Sequence, residues 1–175
     1  MPKISREQIN DDEMKILNEL QKNSNQSINM IARHSGFSNQ KVRGIIKRLE
    51  GKGIIWGNTT VFDEQKTGLT HFVLLVKRNS KKINENTISQ IVTRKIEDFA
   101  AEMGVTIENS FYVHGEYDWI MMFTAKDLRQ ANKFSDSVLA LNPGILEKIS
   151  ILQTLIFVKK HNVLNPERMK LKEFF

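Results

Sequence analysis

The chain has 175 residues, of which 40% are apolar and none is cysteine, and its formal net charge is +6. This apolar content can build one large domain or two small ones, and the lack of cysteine excludes disulfides and thiolate metal sites. No apolar run approaches the ~20 residues that span a membrane, so we expect a cytoplasmic protein without membrane contact. The mild positive charge favours nucleic acid as a partner but does not by itself demonstrate it.

Three short helices are predicted at the start of the chain. Apolar residues at helical spacing follow Asp11 and Asp12, and Ser27 is a good N-cap for a second helix. Gly36 then supplies the positive φ of a tight turn, and Ser38 caps a third helix. The third helix carries one apolar stripe, formed by Val42, Ile45, Ile46 and Leu49. This order predicts a helix-turn-helix, whose last helix enters the major groove of DNA.

The outer side of the third helix is polar and basic. Asn and Gln at its N-terminal end could pair with adenine, Arg could pair with guanine, and the cations farther along could hold phosphates. An isolated helix of this kind is more often only a solvated surface, and the turn before it favours DNA binding. The predicted DNA-binding residues are Ser38, Asn39, Gln40, Lys41, Arg43, Lys47, Arg48 and Lys52.

After this helix, Ile54–Phe62 is predicted to form two short strands around a turn at Gly57, which is the pattern of a wing. A polar connector ends at Gly68, where we place the domain boundary. The remaining elements alternate as β-α-β-β-α-β, which predicts a ferredoxin-like antiparallel sheet with both helices on one face. The expected fold is α+β, with domains over residues 1–68 and 69–160 and a tail over 161–175 that either docks or is disordered.

Within the second domain, a long first helix is predicted over Thr87–Met103 and a hairpin turn at Gly115. The helices leave the other face of the sheet uncovered. If that face carries residues such as Phe72, Trp119 or Met121, it exposes a sizeable apolar patch, so we expect a second copy of the chain to bury it. Which of these side chains points outward depends on a strand register that the sequence leaves open.

Seven segments together resemble the Lrp/AsnC (feast/famine) family of transcription regulators. They are D-x-x-x-x-I-L-x-x-L-Q-x-N from Asp11, I-A-R-H-S-G-F-S from Ile31, V-R-x-I-I-K-R-L-E-x-x-G-I-I from Val42, F-D-x-x-K-x-G ending at Gly68, G-E-Y-D from Gly115, K-D-L from Lys126 and N-P-G-I from Asn142. The resemblance covers about Asp11 to Lys160. It implies a winged helix-turn-helix joined to a RAM-type module that dimerises through its sheet, assembly of dimers into octamers, and an amino-acid effector in many members. The two-fold axis of such a dimer favours palindromic double-stranded DNA operators, and we expect no cofactor.

The G-E-Y-D turn lies close to the effector pocket in that family, so the resemblance makes Gly115, Glu116, Tyr117 and Asp118 candidate effector residues. An amino acid is a zwitterion, and Glu116 or Asp118 could accept its ammonium group while backbone N–H groups bind its carboxylate. The alternative, of equal weight, is a purely structural hairpin with Tyr117 in the core.

One departure from the family lies in the third helix, where Gly44 stands at a position that often carries arginine. Glycine there costs roughly 0.8–1 kcal/mol relative to alanine. It either removes one contact with DNA or allows the helix backbone to approach DNA more closely.

The sequence does not predict an enzyme. The four histidines lie in different elements, and a metal site that joins His71 with His114, Glu116 and Asp118 would have to be assembled from distant segments. The sirohaem decarboxylases resemble the same two-module architecture, but the arginine of their hairpin is missing from Phe111–Asp118 here. That tetrapyrrole enzyme and a stand-alone amino-acid sensor remain as alternatives to a DNA-binding regulator.

Overall fold

The computed structural model describes residues 9–81, 85, 88–89, 93 and 95–175 and divides into two compact units. One unit combines Met1–Val61 with Val158–Phe175, and the other is Phe62–Phe157. The connector before Gly68 thus belongs to the second unit, because Gln65 donates from Nε2 to the carbonyl oxygen of Leu155 at 3.3 Å. No helix within the described ranges has the length and apolar content needed to cross a membrane.

The described residues of the first unit include the α-helices α1 (Asp11–Lys22), α2 (Ile28–Ser35) and α3 (Asn39–Gly51). Ser27 and Ser38 cap α2 and α3 through their hydroxyl oxygens, as the sequence predicts. Gly36 has a φ of 74° between α2 and α3, which confirms the tight turn. The buried core of the three helices consists of Ile16, Ile31, Ala32, Val42, Ile45 and Leu49.

The predicted wing strands are wrong, since residues 54–62 form no strand in the described structure. The N–H groups of Ile54 and Ile55 instead donate to the carbonyl oxygen of Leu49, at 2.9 and 3.2 Å, and so complete the end of α3. Trp56 is 95% exposed, and its indole N–H donates to the carbonyl oxygen of Gly53 at 2.7 Å. The segment leaves α3 as a loop whose first residues serve the helix end.

The tail is folded. Strands β5 (Lys159–Lys160) and β6 (Val163–Leu164) form a hairpin, and a 3-10 helix follows over Arg168–Phe174. The two turn residues His161 and Asn162 have φ of 44° and 68°, as a tight two-residue hairpin turn requires. Asn162 donates from Nδ2 to the carbonyl oxygen of Gln21 at 3.2 Å, so the hairpin tip contacts the end of α1.

In the described part of the chain, the second unit is a four-stranded antiparallel sheet that packs with the helices Lys95–Glu102 and Leu128–Leu141, which confirms the predicted α+β fold class. Its elements are β1 (Thr70–Arg78), α4 (Lys95–Glu102), β2 (Thr106–Tyr112), β3 (Trp119–Ala125), α5 (Leu128–Leu141) and β4 (Leu146–Gln153). The strand order is β2-β3-β1-β4, as the β-α-β-β-α-β pattern predicts. Of the helix predicted over Thr87–Met103, positions 87, 90–92 and 94 lie outside the described residues.

The sheet register, which the sequence leaves open, places Phe72, Trp119 and Met121 in the core beside the helices, so none of the three lies on the other face. Phe72 and Met121 have no exposed surface, and Trp119 is 7% exposed. Because side chains alternate along a strand, the neighbours of these residues form the opposite face. That face, here called the open sheet face, carries Val73, Leu75, Phe111, Ile120, Met122 and Leu152.

Candidate nucleic-acid interface and effector site

Helix α3 has one buried side and one outward side. Val42, Ile45 and Leu49 are buried in the core of the first unit. At 3.6 residues per turn, the positions farthest from this stripe are Gln40, Gly44, Lys47 and Gly51. These four positions, here called the outer ridge, are the part of α3 that a docked duplex meets first.

Three of the predicted DNA-binding side chains are exposed and carry no hydrogen bond or ion pair with any described residue. They are Gln40 and Lys47 on the outer ridge and Arg43 beside it. Each is therefore available to a ligand without breaking an internal contact. An amide, a guanidinium and an ammonium group on successive turns can read base edges and hold phosphates.

The other side chains at the start of α3 have structural partners. Ser38 accepts the N–H of Lys41 at 3.2 Å, and Asn39 donates from Nδ2 to Asn29 Oδ1 at 2.6 Å. Lys41 forms an ion pair of 2.6 Å with Asp12, and its ammonium nitrogen lies 3.9 Å from the centre of the Phe37 ring. These contacts fix the first turn of α3, and they give Ser38, Asn39 and Lys41 partners within the fold.

Arg48 and Lys52 are directed toward Glu13 of α1. The Oε1 atom of Glu13 lies 3.4 Å from Arg48 Nε and 3.7 Å from Lys52 Nζ, and the residue is only 1% exposed. The backbone N–H of Asn10 donates to the other oxygen, Oε2, at 3.3 Å. This N–H lowers the pKa of Glu13, burial opposes the shift, and Arg48 and Lys52 lower the pKa further. Two predicted phosphate ligands thus also neutralise a buried carboxylate.

No neighbouring side chain requires glycine at Gly44 or Gly51. A Cβ atom built at either position meets no heavy atom within 4 Å, apart from the backbone of the helix itself and the adjacent residues. Neither glycine has a positive φ. The outer ridge therefore lacks a side chain at two of its four positions. Gly44 leaves a gap between Gln40 and Lys47, and Gly51 ends the ridge.

The hairpin between β2 and β3 brings the four predicted effector residues together. Gly115 and Glu116 are exposed, and Tyr117 and Asp118 are half-buried. Asp118 accepts the backbone N–H of Arg78 through Oδ2 at 2.8 Å, and its own N–H donates to Val76 at 2.9 Å. The carboxylate therefore joins the hairpin to the end of β1, which is a structural role that the sequence does not reveal.

Arg78 is a candidate effector residue that the sequence analysis missed. Its Nε atom is buried without a hydrogen-bond partner among the described residues, and Nη2 makes only a 3.5 Å contact with the carbonyl oxygen of Lys81. It lies near Tyr112, whose pKa is raised by burial and lowered in part by the Arg78 charge. A cation at the end of a strand with an apolar centre was the available signal.

The metal site considered in the sequence analysis does not form. His71 lies at the opposite end of β1 from Asp118, and its Nδ1 atom is 2.6 Å from Thr154 Oγ1. Its Nε2 atom is 3.8 Å from Glu108 Oε2. Within the described residues, no three histidine, aspartate or glutamate side chains come together as metal ligands.

Comparisons with known proteins agree with this geometry. A family model described as winged helix-turn-helix DNA-binding matches residues 11–55. An uncharacterized HTH-type transcriptional regulator of Pyrococcus furiosus is 31% identical over 91% of this chain and 99% of its own length.

Two solved structures share the fold. LrpC of B. subtilis has a TM-score of 0.62 at 19% identity, over 87% of this chain and 98% of its own. A Neisseria meningitidis transcriptional regulator in complex with L-Met has the same TM-score and identity, over 93% and 99%.

The contacts of Glu13 with Arg48, Lys52 and the backbone of Asn10 predict how the stability of the fold changes at acid pH. The lowered pKa means that the Glu13 carboxylate stabilises the fold above its ordinary pKa of 4.5, and that this stability is lost as pH falls through the lowered value. We expect Glu13→Gln to be less stable than the wild type at pH 7 and to show a shallower loss of melting temperature below about pH 4.5. Thermal melts from pH 7 to pH 3 measure both effects.

Glu50→Gln is the control, because Glu50 is an exposed carboxylate on α3. It should retain the acid slope of the wild type. If the melting temperatures of the wild type and Glu13→Gln fell equally with pH, the stabilising role of the Glu13 carboxylate would be contradicted.

Proposed function

The chain belongs to the Lrp/AsnC family of DNA-binding transcription regulators, and we propose that it acts in the cytoplasm as a symmetric homodimer on palindromic operators, controlled by an amino-acid effector. The observation that carries the proposal is the outward side of α3, where Gln40, Arg43 and Lys47 are exposed and engaged with no described residue. The known relative and the fold support DNA binding, and this surface supports the manner of binding.

In this proposal, Gln40 and Arg43 bind the base edges. Both lie in the N-terminal half of α3, the part of a recognition helix that meets base edges. Glutamine pairs with adenine through N6 and N7, and arginine pairs with guanine through O6 and N7. Lys47 lies one turn farther along and holds a phosphate, which adds affinity and salt dependence but no sequence preference.

The open sheet face supports the homodimer. Val73, Leu75, Ile120 and Met122 form its middle, and no described helix covers them. Leu152 and Phe111 at its sides are 51% and 39% exposed. An apolar surface of this extent in a soluble chain is typical of an interface, and a second copy about a two-fold axis covers it with an identical surface.

The two-fold axis fixes the form of the operator. Two copies of α3 related by that axis read the same sequence on opposite strands, so the half-sites are inverted repeats about one helical turn apart. Dimers in this family commonly assemble into octamers, and we extend that assembly to this chain.

The β2–β3 hairpin supports a zwitterionic effector. Glu116 is an exposed carboxylate, and Asp118 retains one oxygen beyond the one that accepts from Arg78. Either can accept from an ammonium group, and the guanidinium group of Arg78 supplies a positive charge near the hairpin for a carboxylate. The L-Met complex of the Neisseria neighbour makes L-Met the first amino acid to test.

The comparisons favour this function over a tetrapyrrole enzyme. The relative from Pyrococcus and the Neisseria protein are both named as transcriptional regulators. The exposed cations of α3 also favour DNA binding over a sensor that acts without DNA.

The DNA-binding role predicts a selected operator and a defined salt dependence. Selection from a random duplex pool, with and without the twenty amino acids, should yield an inverted repeat. Lys47→Ala should then weaken binding to all duplexes alike and reduce the slope of log affinity against log salt by about 1. Fluorescence anisotropy at several salt concentrations measures that slope.

Lys22→Ala is the matched control, because it removes an exposed lysine from α1, where Lys22 pairs with Glu19. It should leave the slope unchanged. Failure of the wild type to enrich any sequence would overturn the proposed function.

The homodimer predicts that a charge on the open sheet face dissociates the chain. Leu152→Lys should produce monomers, because a lysine ammonium group would be buried without a partner at the interface. Sedimentation velocity or light scattering measures the mass. Leu128→Lys is the control, because Leu128 is 50% exposed on α5 and Leu152 is 51% exposed. Equal assembly of both variants and the wild type would exclude this interface.

The proposed effector site predicts that a substitution of Asp118 can weaken effector binding without lowering the stability of the fold. Asp118→Asn retains an oxygen for the Arg78 N–H, so its melting temperature should match the wild type. It should lose L-Met binding by tenfold or more in calorimetry, because the negative charge that faces the ammonium group is gone.

Asp127→Asn is the control, since Asp127 also accepts one backbone N–H, that of Gln130 at 2.8 Å. If no amino acid binds the wild type, the effector proposal is abandoned and the DNA-binding proposal stands.

A further inference from the structure

Gly44 is the least explained residue of α3. Glycine is unfavourable inside a helix because it gains no side-chain contacts and loses more backbone freedom than alanine. A structural reason would be a crowded neighbour or a positive φ, and Gly44 has neither. Because no described residue near Gly44 explains this glycine, we look for the explanation in a partner that contacts α3.

The location of Gly44 indicates which partner contacts it. It lies on the outer ridge, one turn after Gln40 and one turn before Lys47, at the part of α3 farthest from the buried stripe. An α-helix with its side chains is about 10–12 Å across and the major groove is about 12 Å wide. A side chain missing from the leading edge therefore lets this turn of the helix lie closer to the groove floor.

We infer that Gly44 is the point of closest approach between the recognition helix and DNA, and that it packs against the 5-methyl group of a thymine. The inference rests on the proposed function. Glycine presents only a CH₂ group and no side-chain donor or acceptor, so its contact selects by shape. The thymine methyl is the apolar group displayed at base edges in the major groove. Gly44 is thus a specificity-determining position that a search for charged or polar side chains overlooks.

The neighbouring residues are consistent with this assignment. Gln40 reads adenine one turn away and Lys47 holds a phosphate on the other side, so the helix is anchored on both sides of the gap. The missing side chain at Gly44 determines how deeply Gln40 and Lys47 enter the major groove. A methyl group added at Gly44 would press on the thymine methyl and withdraw both neighbours from their contacts.

The test adds a methyl group to the protein at position 44 and removes the 5-methyl group from a thymine of the DNA. Gly44→Ala should raise the melting temperature by about 2–4 °C, because alanine favours the helix and meets no neighbour. The same variant should bind the selected operator at least tenfold more weakly than the wild type. Replacing each conserved thymine of the half-site in turn by deoxyuridine should restore most of this loss at one position.

Gly51→Ala is the matched control on the same ridge. Gly51 is the last residue of α3 and also meets no neighbour within 4 Å, but it lies beyond the N-terminal half that reads bases. Its operator affinity should stay within about twofold of the wild type. The melting temperature of each variant shows separately whether the fold is intact.

The outcomes separate this inference from the function on which it rests. If the wild type selects no operator, the proposed function and the inference both fail. If the wild type selects an operator and Gly44→Ala binds it equally well, only the inference is overturned. A loss that no deoxyuridine restores, or an equal loss in Gly51→Ala, also overturns it.

Discussion

The buried carboxylate of Glu13 joins the start of α1 to the end of α3, and the geometry of the first unit depends on it. A buried charge must be neutralised, and Arg48 and Lys52 from the last turn of α3 and the residue after it provide the neutralising charges. The backbone N–H of Asn10 binds the same group, so one side chain both caps α1 and positions α3. The orientation of the recognition helix is therefore coupled to the first turn of the first helix.

The same pairing explains how far the sequence could predict the DNA surface. Caps and apolar spacing locate α3 and its buried side, because those signals are local in the chain. The partners of its cations are not local, since Glu13 is 35 residues from Arg48. The sequence therefore does not show which cations of α3 have a partner inside the fold, and only the folded structure separates Arg43 and Lys47 from Arg48 and Lys52.

The second unit shows the same division between local and long-range information. Element order predicts the strand order β2-β3-β1-β4, because crossover handedness leaves few arrangements. Which face Phe72 and Trp119 occupy depends on a register with period two, and a shift of one residue reverses it. The bond from Asp118 to Arg78 was equally hidden, because it joins residues 40 positions apart. The hairpin motif locates the candidate site, and this bond shows that one of its carboxylates also has a structural role.

The tail hairpin affects the order in which the two units of the protein fold. Residues from Val158 onward belong to the same compact unit as α1, and Asn162 binds the carbonyl oxygen of Gln21 across 141 positions of sequence. Contacts of such long sequence separation form late and slow the folding of the unit that contains them. A chain emerging from the ribosome would fold its sheet before it completed its DNA-binding unit. An N-terminal fragment ending at Val61 would likewise lack part of its own packing, although it contains every residue of the recognition helix.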